Sequence, residues 1–166
     1  MALKTTIAAG IQAEKTGVSD IGDARHTVPM DGDFVLQNGV AVGQADQEFT
    51  DQRPLGAGAN EDLDLAGGVT NALGETVTFA RVKAIWIEAD LANDGNIVVG
   101  AAALNAFVGP FGAATHTIAL DAGERVCITN KGVGWTVTPG TGDLLRVANS
   151  GAAAANYKIK IIGTTT

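Results

Sequence analysis

The chain has 166 residues, of which 46% are hydrophobic and 17% charged, and its formal net charge is −7. This composition excludes an intrinsically disordered chain. The negative charge argues against a nucleic-acid-binding surface, which gathers Lys and Arg on one face. No apolar stretch approaches the roughly 20 residues of a membrane span, and none near the start is long enough for a secretory signal. We therefore predict no nucleic-acid or membrane partner and assembly in a cytoplasm.

The first 60 residues predict an extended arm. Residues 1–10 fit one strand, but from residue 17 to residue 60 the apolar residues follow neither a strand period nor a helix period. Turn-forming Gly and Asp recur, as at residues 20–23 and 31–33. A long irregular segment of this kind is typically functional or ordered by a partner. We expect residues 1–60 to lie over another subunit, with a plain flexible tail as the alternative.

Residues 61–166 predict a β-domain of nine short strands. The predicted strands are 63–65, 76–80, 82–88, 97–99, 115–120, 125–129, 135–138, 144–148 and 157–162. The last is the clearest, because Tyr157, Ile159 and Ile161 alternate with Lys158 and Lys160. Turn residues separate the strands at short intervals, which favours an antiparallel sandwich or barrel. The fold class is therefore all-β: an antiparallel, jelly-roll-like β-sandwich at 61–166 with an extended, mostly irregular arm at 1–60.

Two segments of this domain allow more than one structure. The apolar alternation changes phase near Arg81, which indicates a β-bulge, a break into two strands, or a strand covered on both faces, one of them by a neighbouring subunit. Residues 101–107 are Ala-rich and are flanked by Gly100 and by Gly109-Pro110, so they fit either a short helix or a loop.

The sequence offers little for catalysis. It has two histidines, His26 and His116, and two serines, Ser19 and Ser150, from which a nucleophile and base would have to be assembled. His26 and Ser19 fall in the arm, and His116 alternates with apolar residues of a predicted strand. The single cysteine, Cys127, lies between Val126 and Ile128 on a predicted strand, and nothing in the sequence indicates a lowered pKa, which favours a small packed residue over a nucleophile. We predict no catalytic residues and no enzyme.

Binding motifs for ions and cofactors are also weak. The acidic stretches 60–64 and 90–96 offer oxygen ligands but do not match the twelve-residue calcium loop, and Asp94-Gly95 is explained by a hairpin turn. The Gly-rich segments 56–58 and 67–68 lack the Lys and Ser/Thr of a phosphate loop. We predict no metal ligand, no cofactor and no cofactor-binding residue. Trp86 and Trp135 remain candidates for stacking on a sugar, although their strand positions favour packing.

Several stretches together resemble a family of small tailed-phage virion proteins, the head decoration or cement proteins. The stretches that carry the resemblance are residues 38–46, 51–53, 62–67, 78–85, 99–100 and 159–164. The similarity spans residue 36 to the C-terminus and leaves the first thirty or so residues uncovered. None of the stretches is a catalytic signature.

The resemblance implies a virion β-sandwich without enzymatic role and supplies no site residues. On this basis we expect a structural protein on the capsid exterior that binds the major capsid protein across subunit joints and so stabilises the shell. Residues 1–60 would dock on the shell or on a sister subunit. A homotrimer is the preferred self-assembly, with a dimer as the alternative. The competing expectation is a carbohydrate-binding or adaptor module of a phage tail, fibre or baseplate.

Overall fold

The computed structural model describes residues 2–166, except that at residues 12, 19, 22–24, 26, 28 and 31 it describes the backbone alone. The described residues contain β-strands, turns and loops but no helix, and so no helix able to cross a membrane. The sixteen strands are β1 (Thr5–Ile7), β2 (Gly10–Ser19), β3 (Gly22–Asp31), β4 (Phe34–Asn38), β5 (Gln44–Ala45), β6 (Gln47–Leu55), β7 (Asn60–Asp64), β8 (Val69–Thr70), β9 (Thr76–Val77), β10 (Arg81–Ala89), β11 (Ile97–Gly100), β12 (Thr117–Leu120), β13 (Arg125–Thr129), β14 (Trp135–Thr136), β15 (Leu144–Asn149) and β16 (Ala155–Thr164).

Two antiparallel sheets form the body. The five-stranded sheet has the order β13–β10–β16–β6, with β14 beside β10, and the four-stranded sheet has the order β12–β11–β15–β7. Both sheets contribute to one hydrophobic core, in which Ile85 and Ile159 of the first sheet and Val147 of the second are almost fully buried. The all-β fold class is confirmed, and each of the nine strands predicted in residues 61–166 overlaps an observed strand.

A third, smaller sheet covers part of the outer face of the five-stranded sheet. It has the order β1–β4–β5, with β4 and β5 parallel. Ile7, Leu36 and Ala45 of this sheet pack against Ala84 and Ile162 in a second hydrophobic cluster. At this end the five-stranded sheet is therefore covered on both faces, by the main core on the inner face and by the small sheet on the outer face.

The phase change near Arg81 has three structural causes. First, the predicted long strand is interrupted between β9 and β10, and these two strands belong to different sheets. Second, the register of β10 against β16 shifts between Val82 and Ala84, so Lys83 is the extra residue of a β-bulge. Val82 and Ile85 consequently both reach the main core, although a regular strand would point them to opposite faces. Third, Ala84 is covered on the outer face, by the small sheet of the same chain and not by the neighbouring subunit that the sequence suggested.

The structure differs from the sequence-based expectation in the first 60 residues. They are not mostly irregular, since they hold strands β1 to β6 and the start of β7. Strand β6 pairs with β16 over nine residues, and its Phe49 and Leu55 lie in the main core. Residues 47–60 therefore belong to the body. Residues 101–107 form a loop, because Ala101 and Asn105 have φ values of 55° and 50°, which a right-handed helix cannot contain.

Candidate interaction surface

Strands β2 and β3 form an isolated two-stranded ribbon. They pair without interruption from Gly10 opposite Asp31 to Ser19 opposite Gly22. Ten residues per strand correspond to a length of about 30 Å. At its base the Gly32 N–H donates a 2.8 Å hydrogen bond to the Ala9 carbonyl oxygen. The ribbon is therefore an insertion between β1 and β4 that enters and leaves the body at one point.

The ribbon has one apolar face near its base. Ile11 and Met30 lie directly opposite each other and are 77% and 70% exposed. Glu14 and Arg25 lie on the other face and form an ion pair of 3.3 Å. An isolated two-stranded hairpin is at best marginally stable in water, and exposed apolar pairs of this size mark contact surfaces. The ribbon is thus the strongest candidate for contact with another molecule.

A shallow groove on the outer face of the five-stranded sheet is the second candidate surface. It encloses about 380 Å³ and is lined by Thr50, Asp51, Gln52, Trp86, Lys158, Ile159 and Lys160. The half-buried Trp86 is its one aromatic wall. Lys158 and Lys160 pair with Glu88 and Glu48 at 3.5 and 3.7 Å, so the rim carries charges of both signs. Trp135, in contrast, packs partly buried against the main core.

The candidate nucleophiles and bases take structural or peripheral places. The ring Nδ1 of exposed His116 lies 2.8 Å from the Phe111 carbonyl oxygen. The Ser150 hydroxyl donates a hydrogen bond to the Asn96 carbonyl oxygen at 3.0 Å, which links the end of β15 to the start of β11. Cys127 is exposed, and partial desolvation raises the pKa of its thiol. The side chains of His26 and Ser19 lie outside the described residues.

The acidic stretches at 60–64 and 90–96 are used as structural links. Asp62 makes a bidentate pair with Arg146, both contacts being 2.8 Å. Asp90 accepts a hydrogen bond from the Ala92 N–H at 2.9 Å, which forms a local turn. Gly95 lies so close to Gly151 that a Cβ at residue 95 would clash with it. Among the described side chains no group of three or more His, Cys, Asp or Glu is placed to hold a metal ion.

A polar cluster that the sequence analysis missed closes one side of the body. Glu61 of β7 accepts hydrogen bonds from Arg53 of β6, at 2.8 Å to Nε, and from the Tyr157 hydroxyl of β16, also at 2.8 Å. Arg53 also contacts Asp51 at 2.8 Å. Tyr157 is fully buried. The cluster joins the edge of the five-stranded sheet to the edge of the four-stranded sheet.

The pH response of Tyr157 tests this cluster. Burial, followed by the hydrogen bond to Glu61, raises the pKa of the phenol far above its ordinary value of 10. Above pH 10 the unfolded chain loses this proton and the folded chain keeps it, so the unfolding free energy falls as pH rises. Because the chain has one tyrosine, its phenolate absorbance reports this residue alone. We expect no phenolate signal from the folded protein at pH 10–11, and a titration near pH 10 before unfolding would contradict the burial.

A buried lysine fixes a second corner of the body. The Lys83 ammonium donates hydrogen bonds to the carbonyl oxygens of Ala41 and Gly132, at 3.0 and 2.8 Å. The lysine is fully buried, and desolvation, with a smaller contribution from Arg81, lowers its pKa. Both acceptors are main-chain atoms of loops. Lys83 therefore ties the loop before β5 to the loop after β13.

No protein-family model matches the chain, and no curated protein matches it significantly.

Proposed function

We propose that the protein is a bacteriophage virion structural protein that decorates the capsid exterior and cements the shell by binding across joints between major capsid proteins. In this proposal the body is a jelly-roll-like antiparallel β-sandwich, and the arm that reaches the shell or a sister subunit includes the ribbon of β2 and β3. The protein is not an enzyme and uses no metal or cofactor. It self-associates, as a trimer or a dimer.

The ribbon is the observation that carries this proposal. A ribbon about 30 Å long can span from one subunit to its neighbour, and its exposed Ile11 and Met30 provide apolar surface for the contact. The low proportion of charged residues, 17%, suits a protein whose surface is largely covered by neighbours. Added interface at every joint of a symmetric shell accumulates into substantial stabilisation.

The number of copies per particle tests the proposal. Quantitative mass spectrometry of purified virions that carry this chain should find hundreds of copies, because a decoration protein occupies equivalent positions over the whole shell. A handful of copies would place the protein in the tail and contradict cementing. Quantifying the major capsid protein in the same digest provides the internal reference.

The groove at Trp86 favours a second candidate function, a carbohydrate-binding or adaptor module of a tail, fibre or baseplate. An indole beside hydroxyl, amide and charged groups is a common platform for a sugar ring. Titrating host glycans against intrinsic fluorescence should then give a saturable change that Trp86→Ala abolishes and Trp135→Phe retains. A decoration protein should give no saturable fluorescence change in the unsubstituted chain or in either variant.

A further inference from the structure

Each sheet of the body has two edge strands, β13 and β6 in the five-stranded sheet and β12 and β7 in the four-stranded sheet. On one side, the edges of β6 and β7 are joined by Arg53 and Glu61. On the other side, β12 and β13 are consecutive strands linked by a short turn, so the remaining edges of both sheets also lie close together. A free sheet edge presents unpaired main-chain groups and is a template for pairing with another strand.

The edge of β13 has its hydrogen-bonding groups ready for such pairing. The Ala89 N–H donates to the Glu124 carbonyl oxygen and the Asn130 N–H to that of Lys83, which fixes the ladder between β10 and β13. In an antiparallel ladder every second residue points its N–H and C=O away from the partner. In β13 these residues are Arg125, Cys127 and Thr129, and all three are exposed.

The two sides differ in the devices that prevent edge pairing. Strand β6 carries Pro54, and β7 carries Glu61, Asp62 and Asp64, whose charges would repel a second copy of the same strand. Strand β13 has no proline, lysine or carboxylate, and its alternation is regular. The one charged residue of β13, Arg125, is its first residue and pairs with Glu88 of β10 at 3.7 Å. Strand β12 is uncharged but has only four residues. The longest unprotected edge among these four is therefore β13.

The sequence of β13 complements itself across a twofold axis. Antiparallel pairing centred on Cys127 places Arg125 opposite Thr129 of the second copy, so no like charges meet. It places Val126 opposite Ile128, both half-buried, which continues the inner apolar layer from one copy to the next. Three residue pairs would each exchange two main-chain hydrogen bonds. We propose that the partner of this edge is a second copy of the chain, which joins the two five-stranded sheets through β13 into one continuous sheet.

This inference goes beyond the proposed function, because it concerns the free protein and holds whether or not a capsid is the final partner. It selects the dimer over the trimer, because an antiparallel pair of identical strands has twofold symmetry. It also places the two Cys127 residues as a hydrogen-bonded pair with Cα atoms about 5.5 Å apart. That separation lies within the range that a disulfide spans.

The chain's one cysteine makes the contact directly testable. Sedimentation equilibrium of the purified full chain under reducing conditions should give twice the chain mass. Treatment with diamide, which takes two protons and two electrons from two thiols, should convert most of the protein into a disulfide-linked dimer at micromolar concentration. A monomeric or trimeric mass, or no cross-link, would overturn the proposal.

Two variants at the same exposed position separate pairing from thiol chemistry. Cys127→Ser should remain a dimer and lose the cross-link. Cys127→Lys should become a monomer, with affinity reduced at least tenfold, because two ammonium groups would face each other across the axis. Near-ultraviolet circular dichroism checks that both variants fold. A Cys127→Lys variant that stays a dimer would show that the copies associate elsewhere.

Discussion

Under the proposed cementing function, replacing residues 10–31 by an Asn-Gly turn is expected to leave a folded body that binds capsids at least about 100-fold more weakly than the full chain. The hydrogen bond between Gly32 and Ala9 already brings the two cut ends together, and Asn-Gly suits a two-residue hairpin. The excision removes the exposed Ile11 and Met30, each worth roughly 1.5–3 kcal/mol if buried on docking. A loss of about 3 kcal/mol corresponds to the stated change in affinity. Binding is measured by co-sedimentation with capsids that lack the protein.

Point variants distinguish the apolar face of the ribbon from the ribbon as a whole. Ile11→Thr combined with Met30→Thr should weaken capsid binding nearly as much as the excision. Thr16→Ala combined with Thr27→Ala, on the opposite face, should change it little. If the excised protein saturates capsids at unchanged affinity, the ribbon is not the cementing element. The excised chain should still dimerise, because β13 lies outside the removed segment.

Glu61→Ala is expected to lower the unfolding free energy by about 3 kcal/mol. The substitution leaves the Tyr157 hydroxyl without an acceptor in a fully buried place and removes the main partner of Arg53. A buried hydrogen-bonding group left unpaired costs about 1–3 kcal/mol, and the half-buried ion pair adds to that. For a chain of this size the change corresponds to a melting temperature lower by about 10 °C. Thermal and urea unfolding measure both quantities.

The neighbouring Asp62→Ala provides the matched control. Asp62 also pairs with an arginine of an adjacent strand, Arg146, but no tyrosine depends on it. A surface pair of this kind contributes up to about 1 kcal/mol. Equal losses in the two variants would mean that the cluster around Glu61 has no special role in joining the sheets.

The strands that could be predicted are those with a regular apolar face. In β16, Tyr157, Ile159 and Ile161 all lie in the main core, so the alternation in the sequence matches the structure. Strand β6 was not predicted, because its inner face is not regularly apolar. Its inward positions run Phe49, Asp51, Arg53, Leu55, and two charged residues on the inner face hide the strand period. Their place on the inner face is explained only by tertiary structure, which brings Glu61 to Arg53 and Tyr157 to Glu61.

The ribbon and the surface groove could not be predicted for related reasons. The described side chains of β2 and β3 are all exposed, so no core selects their apolar pattern. The groove at Trp86 exists because β6, β10 and β16 become neighbours, although they are far apart in sequence. The bulge at Lys83 was one of several explanations open for the phase change, and choosing among them required the register of β10 against β16.

The position of Lys83 has a practical consequence. Its amine is sealed between two loop carbonyls, whereas Lys158 and Lys160 are about half exposed. An amine-reactive label can reach Lys83 only when the loop at Ala41 lifts from the loop at Gly132. The rate at which this lysine is modified, relative to the exposed ones, therefore measures how often these two loops separate in the folded protein.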